Sequence, residues 1–107
     1  MILAIDVGNT NIVLGCIDKG EILNIVRIQT NPRETAAECA VKLKQLLEFY
    51  DVDCRGIEGA IISSVVPQIT GALREAIEQI SGVRALIVGP GMKTGLNIRL
   101  DDPSTLA

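Results

Sequence analysis

The 107-residue sequence contains no histidine, which excludes every Ser-His or Cys-His nucleophile pair from this chain. General-base chemistry would therefore fall to a carboxylate. The cysteines Cys16, Cys39 and Cys54 are odd in number and form no CxxC pair, so neither a disulfide framework nor a zinc site is supported. This cysteine usage fits a reducing compartment, and we expect a cytoplasmic location.

Runs of basic residues and long apolar segments are also missing. The formal net charge is −3 and Lys and Arg are scattered, so we expect no binding to nucleic acid. No apolar run approaches the ~18 residues that a membrane-spanning helix needs, and the chain starts with no basic region, so we expect no membrane association. The apolar content of 48% with almost no aromatic residues is typical of a buried sheet flanked by helices in one domain.

Hydrophobic periodicity predicts the order of the secondary-structure elements. Residues 2–7, 11–18 and 22–28 are apolar runs separated by turn residues, which indicates a three-strand antiparallel meander. An Asn31-Pro32 start signal with Glu34 predicts a first helix. Its predicted buried stripe comprises Ala36, Ala40, Leu43, Leu47 and Tyr50.

The second half of the chain alternates strand and helix patterns. Residues 57–64 are predicted as a strand, Pro67 to Ser81 as a helix, and residues 84–88 as a further strand, with parallel pairing because a helix intervenes. Leu96, Ile98 and Leu100 alternate with polar residues and predict an extended segment. The sequence thus predicts an α/β domain that combines a meander, parallel strands and flanking helices.

A polar turn follows the first predicted strand and is the main candidate site. It reads DVGNTN over residues 6–11, so neutral donors at Asn9, Thr10 and Asn11 follow a glycine that permits close approach and a positive φ. Consecutive amides in such a turn can bind a phosphate, and Asp6 would then act through Mg²⁺. The alternative is an ordinary hairpin turn. The segment is not a Walker A loop, because no Gly-Lys-Ser/Thr triplet follows it.

A second glycine-rich segment follows the last predicted strand. It comprises Gly89, Gly91, Lys93, Thr94 and Gly95. Its spacing does not match a dinucleotide fingerprint, so it favours a substrate-binding loop or simply a solvated one. Two weaker candidates are Ser63-Ser64, interpreted as a helix cap, and Asp101-Asp102, interpreted as a turn.

Three segments together resemble the amino-terminal half of the type III pantothenate kinases, which belong to the acetate and sugar kinase, Hsp70 and actin superfamily. They are residues 6–11 (DVGNTN), 62–67 (ISSVVP) and 89–96 (GPGMKTGL). The resemblance covers essentially the whole chain. It implies a ribonuclease-H-like fold, a homodimer, and transfer of the γ-phosphoryl group of ATP to pantothenate at the start of coenzyme A synthesis.

The resemblance also implies the site residues and the cofactors. Mg²⁺ would lie near Asp6, and a monovalent cation, K⁺ or NH₄⁺, would be needed as well. The glycine-rich loop of residues 89–95 would contact pantothenate. The residues that wrap the ATP phosphates would be Asp6, Val7, Gly8, Asn9, Thr10, Asn11, Ile12 and Val13.

Two departures from the family pattern affect the expected activity. The family continues beyond a segment like residues 101–103 to an aspartate that serves as the general base, and Leu100 stands where many members have Tyr. We therefore expect residues 1–107 to be an N-terminal phosphate-binding domain, truncated before that base and the second domain, with no catalytic residue and no activity alone. The alternatives are a non-catalytic actin-like interaction or regulatory module, or another sugar or acetate kinase relative.

Overall fold

A computed structural model describes residues 1–89 of the chain. Its five strands form one sheet in the order β3-β2-β1-β4-β5. The strands are β1 (Ile2–Val7), β2 (Asn11–Asp18), β3 (Glu21–Gln29), β4 (Gly59–Ser64) and β5 (Leu86–Val88). The helices are α1 (Ala36–Phe49) and α2 (Pro67–Ser81), with a short 3₁₀ helix at Cys54–Gly56. Within this part of the chain, no helix is long and apolar enough to cross a membrane.

The predicted antiparallel meander is confirmed in β1, β2 and β3. The β2–β3 turn contains Lys19 and Gly20, both at positive φ (52° and 80°). A two-residue hairpin turn needs this conformation to match the twist of its strands. β3 is one residue longer at each end than the apolar run 22–28. A register shift lies beside Cys16 and Ile17 on β2.

The predicted parallel pairing is also confirmed, because β4 runs parallel to β1 and β5 runs parallel to β4. Each of these two strands starts two residues later than expected. Before β4, Ile57 is instead buried in the core, and its amide donates to the carbonyl of Cys54 (3.3 Å) at the end of the 3₁₀ helix. The carboxyl ends of β1, β4 and β5 therefore meet at one edge of the sheet.

The two faces of the sheet have different environments. On β1, Leu3, Ile5 and Val7 pack with the buried stripes of both helices in one core. Ala4 and Asp6 point the other way, to what we call the far face of the sheet. A small second cluster there joins Ala4 to Val13 and contains no helix residue within the described part of the chain. Both helices thus cover the same face.

The start predicted for α1 at Asn31-Pro32 is wrong. The Asn31 side chain accepts from the amide of Arg33 (3.1 Å) in a local turn, and the helix begins four residues later. Thr35 is the N-cap: its hydroxyl accepts from the amide of Glu38 (3.2 Å), whose carboxylate accepts from the amide of Thr35 (3.0 Å). This capping box satisfies two amides at once, which a single asparagine cannot do.

The buried stripe of α1 also differs from the prediction. Cys39, Leu43 and Leu47 are buried at intervals of four, whereas Ala36 and Ala40 are half-buried and Tyr50 lies exposed at the C-cap. The prediction for α2 is confirmed. It runs from Pro67 to Ser81, ends at Gly82 with a φ of 77°, and is buried along Ile69, Leu73, Ala76 and Ile77, with Ile80 at the margin.

The capping box gives a test of where α1 begins. Thr35→Ala should lower the free energy of unfolding by about 1 kcal/mol, because the hydroxyl no longer accepts from the amide of Glu38 or donates to its carboxylate. Asn31→Ala removes only one exposed turn contact and should cost less. Chemical denaturation of the two variants measures the difference. A larger loss for Asn31→Ala would contradict the observed start.

All three cysteines are buried free thiols, so no disulfide forms among them. Burial, together with the hydrogen bond that the thiol donates to Glu34 (3.3 Å), raises the pKa of Cys39 from the ordinary thiol value of 9.0 to about 12. The neighbouring Lys42 forms an ion pair with the same carboxylate (2.7 Å). Burial also raises the pKa values of Cys16 and Cys54.

This shift predicts how stability changes in alkaline solution. The folded chain holds the Cys39 proton more tightly than the unfolded chain, so the contribution to stability is complete below pH 9.0 and is lost as the pH rises towards about 12. Cys39→Ala should therefore flatten the fall in unfolding free energy across that window. Denaturation series at several pH values measure both slopes, and equal slopes would refute the assignment.

Candidate functional site

Asp6 lies near the carboxyl end of β1, on the far face of the sheet. Its side chain is half-buried, and the strand register places it between Val13 of β2 and Ser63 of β4. Residues paired in adjacent strands point to the same face, and such strands lie about 4.8 Å apart. The carboxylate is thus held on the sheet itself, where its position is set by strand pairing and not by a loop.

Three hydrogen bonds fix the turn that follows Asp6. The amide of Gly8 donates to the carbonyl of Asn11 (2.8 Å), which closes the hairpin. Thr30, just after β3, donates its hydroxyl to the carbonyl of Gly8 (2.8 Å) and its amide to the carbonyl of Thr10 (2.9 Å). Sequence reasoning missed Thr30, although the predicted meander already brought the end of β3 back towards this turn.

The reason for glycine at position 8 differs from the one expected. The positive φ predicted for Gly8 is wrong, because the glycines with positive φ within residues 1–89 are Gly20 and Gly82. Crowding favours glycine instead, because a Cβ there would lie 3.3 Å from the carbonyl oxygen of Asn11, which is a tight contact. A side chain would therefore press on the hydrogen bond that closes the hairpin.

The turn leaves two adjacent amides available. The amide of Gly8 is occupied by Asn11, whereas those of Asn9 and Thr10 make no hydrogen bond to any residue of the described range. Both residues are exposed, and Asn11 is half-buried. Two amides and three neutral polar side chains thus lie together at one tip, and successive amides of this kind can bind anions.

The apolar residues of the predicted site have buried side chains, unlike the polar residues of the turn. Val7 and Ile12 are paired with each other and buried in the helix-covered core, so their side chains do not reach the turn surface. Val13 is buried on the far face beside Asp6. These three residues therefore support the site by holding the strands on either side of the turn.

Ser63 and Ser64 have separate environments, and the helix-cap interpretation of this pair is wrong. Helix α2 has Val66 as its N-cap with no side-chain capping bond. The Ser64 hydroxyl instead accepts from the amide of Val66 (3.0 Å) and donates to its carbonyl (3.2 Å). Ser63, paired with Asp6, is 4% exposed on the far face.

The second predicted loop begins at the same edge of the sheet as the first. Gly89 directly follows β5, which runs parallel to β4 and β1, so it leaves the sheet on the side where the Gly8 turn lies. Gly91, Lys93, Thr94 and Gly95 lie outside the described residues. The predicted extended segment at 96–100, including Leu100, and the Asp101-Asp102 pair lie outside them as well.

A cation also shares the far face with Asp6. Arg27 of β3 pairs with Val13, which pairs with Asp6, so the three residues form one row across adjacent strands. Arg27 is exposed. Sequence reasoning did not single it out, because only the register of the meander shows that it shares a face with Asp6.

The side chains at this site offer oxygen atoms as possible metal ligands. Within residues 1–89, no group of three or more His, Cys, Asp or Glu side chains is placed to hold a metal ion. A single carboxylate beside neutral donors suits a hard cation that is shared with a phosphate ligand, and does not suit a transition metal held by the protein alone.

Known proteins resemble this chain in both sequence and fold. A family model described as type III pantothenate kinase matches residues 2–106. A type III pantothenate kinase from Bifidobacterium longum subsp. infantis is 40% identical over 106 residues. That match covers 99% of this chain and 42% of the relative, so the chain spans less than half of the relative's length.

Solved structures of sugar kinases share the fold. One is described as an N-acetylglucosamine kinase from Porphyromonas gingivalis, with a TM-score of 0.63 and 20% identity over 86% of this chain and 35% of the other. A ROK hexokinase from Thermus thermophilus gives 0.58 and 18%, over 82% and 34%. These likenesses confirm the predicted ribonuclease-H-like fold. Taken with the match over residues 2–106, they lead to one assignment: this chain belongs to the type III pantothenate kinase family.

Proposed function

We propose that these 107 residues form the phosphate-binding part of an ATP-dependent pantothenate kinase, which transfers the γ-phosphoryl group of ATP to pantothenate at the start of coenzyme A synthesis. The observation that carries the proposal is the turn after β1, with two available amides and Asp6 on the adjoining strand end. Membership of the type III pantothenate kinase family supports the proposed reaction.

In this proposal the turn holds the phosphates of ATP. The amides of Asn9 and Thr10 and the side chains of Asn9, Thr10 and Asn11 donate to phosphate oxygens, and they add no negative charge. Thr30 supports the turn from behind through the Gly8 carbonyl. Arg27, in the same row as Asp6, adds a positive charge on the face where the phosphates lie.

Asp6 is the proposed ligand for Mg²⁺. The residues present fit this ion, because Mg²⁺ is usually held by one or two carboxylates together with substrate phosphates and retained water. One half-buried carboxylate beside a set of neutral donors is such an arrangement. When bound, Mg²⁺ would neutralise charge on the phosphates that approach Asp6.

Pantothenate would bind at the loop that starts at Gly89, on the same edge of the sheet. We propose Gly89, Gly91, Lys93, Thr94 and Gly95 as the substrate contacts, with the Lys93 cation available for an anionic substrate group. The shared edge supports this assignment, because it places Gly89 two strands away from β1. An acceptor and a donor on one edge are suited to in-line transfer.

The remaining parts of the proposal concern the whole enzyme. The curated relative is longer than this chain. From the family resemblance we propose that the general base and the adenosine pocket lie outside these 107 residues, which would have no activity alone. A monovalent cation, K⁺ or NH₄⁺, a homodimer and a cytoplasmic location are proposed from the family alone. We assign none of residues 1–89 as a ligand of the monovalent cation.

The role of Asp6 gives the main test of the proposal. In the full-length protein that contains these residues, Asp6→Asn should weaken binding of Mg²⁺-ATP by about ten- to a hundredfold, because a charge-assisted contact contributes ~1.5–3 kcal/mol. Binding of ATP in the absence of metal should change much less. Titration calorimetry with and without Mg²⁺ measures both affinities.

The matched control for Asp6→Asn is Asp18→Asn. Asp18 ends β2 at the opposite edge of the sheet, so the same chemical change there should leave nucleotide affinity unaltered. Wild-type affinity in the Asp6 variant would show that the nucleotide does not bind here. Phosphorylation of a sugar with no turnover of pantothenate by the full-length protein would overturn the proposed substrate.

The contact from Thr30 to Gly8 gives a second test. Thr30→Val keeps the shape of the side chain but removes the hydrogen bond, which contributes ~1 kcal/mol. We expect about a fivefold loss of Mg²⁺-ATP affinity, because the turn is no longer held in its binding geometry.

Ser81→Ala serves as the control for Thr30→Val. It removes a hydroxyl contact to a backbone carbonyl (2.6 Å) at the other end of the sheet. It should lower stability without changing nucleotide affinity. If the two variants lose stability to a similar extent and both keep wild-type affinity, Thr30 does not position the turn.

A further inference from the structure

We infer that the hydroxyl of Ser63 is a second protein group for the divalent cation, acting through one of the water molecules that the cation retains. Ser63 would thus be a positioning residue that works together with Asp6. This inference rests on the proposed function, since it requires a phosphate-bound cation at Asp6.

The first observation is the isolation of a buried polar group. Ser63 is 4% exposed, and its hydroxyl makes no hydrogen bond to any residue of the described range. Leaving such a group unpaired costs ~1–3 kcal/mol. Alanine would fill nearly the same volume without this cost, as Ala4 does two positions before Asp6 on the same face. Packing alone therefore does not explain the serine.

The second observation is the direction of the side chain. Ser63 and Asp6 are paired in the parallel register of β4 and β1, so both point to the far face at the edge where the phosphate turn lies. Their separation is set by strand spacing, about 4.8 Å between backbones. The Ser63 hydroxyl donates to no residue of the described range, so it remains available to bind a water beside Asp6.

The chemistry of the hydroxyl suits this role. A serine hydroxyl has one donor and two acceptor positions, so it can accept from a water that a cation polarises. Mg²⁺ gives up its water reluctantly and is usually bound through few direct protein ligands. Groups that orient such a water through hydrogen bonds commonly change metal affinity when they are removed.

Ser64 provides a matched comparison in the next position of the same strand. Its hydroxyl accepts from the amide of Val66 and donates to the carbonyl of the same residue in a local turn. The two serines therefore differ in whether the hydroxyl is hydrogen-bonded and in which face of the sheet it points to. One is paired and points away from Asp6, and the other is unpaired and points to the same face as Asp6.

The test compares Ser63→Ala, Ser64→Ala and Asp6→Asn in the full-length protein. Mn²⁺ replaces Mg²⁺ as the probe, and its binding to the protein with ATP is followed by the electron paramagnetic resonance signal of free Mn²⁺. Ser63→Ala should weaken Mn²⁺ binding by about tenfold. It should leave metal-free ATP affinity unchanged and should keep or raise the melting temperature of the ligand-free protein.

The other outcomes separate the inference from the proposed function. Wild-type Mn²⁺ affinity in Ser63→Ala, with a loss in Asp6→Asn, overturns the role of Ser63 and leaves the function intact. Wild-type affinity in both variants overturns the proposed function as well. An equal loss in Ser64→Ala, or an equal loss of metal-free ATP affinity in Ser63→Ala, would show a merely structural effect and would also overturn the inference.

Discussion

The register of β1 between β2 and β4 is the constraint on which the rest of the structure depends. It directs Leu3, Ile5 and Val7 to the helices and Asp6 to the far face. A shift of one residue would exchange the two faces and place the carboxylate in an apolar core, where an unpaired charge is strongly unfavourable. The alternation that builds the core is thus also what presents the candidate metal ligand.

Most of the fold could be predicted from the sequence, because its signals are local. Apolar runs of five to eight residues separated by turn residues located each strand within residues 1–89, and Pro67 with Gly82 marked both ends of α2. The start of α1 could not be located in this way. Asn31 and Thr35 each precede a glutamate by three residues, so two equivalent signals compete, and only the structure shows which hydroxyl or amide reaches the amides of the first turn.

The candidate site was predicted only in its contiguous part. The turn at residues 6–11 is visible because its polar residues are adjacent in the sequence. Thr30, Arg27 and Ser63 reach the same region from other strands, and their relevance follows from register, which no local pattern specifies. Ser63 and Ser64 illustrate the limit, since two identical neighbours have opposite environments because successive side chains of a strand alternate between faces.

The burial of all three thiols has a practical consequence for spectroscopy. Because Cys16, Cys39 and Cys54 are inside the fold and their pKa values are raised, they are poor nucleophiles towards a maleimide or methanethiosulfonate reagent. A cysteine introduced at the exposed Asn9 or Thr10, in the turn after β1, would react in preference to them, so they need not be removed. A fluorophore or spin label could then report nucleotide binding in an otherwise natural sequence.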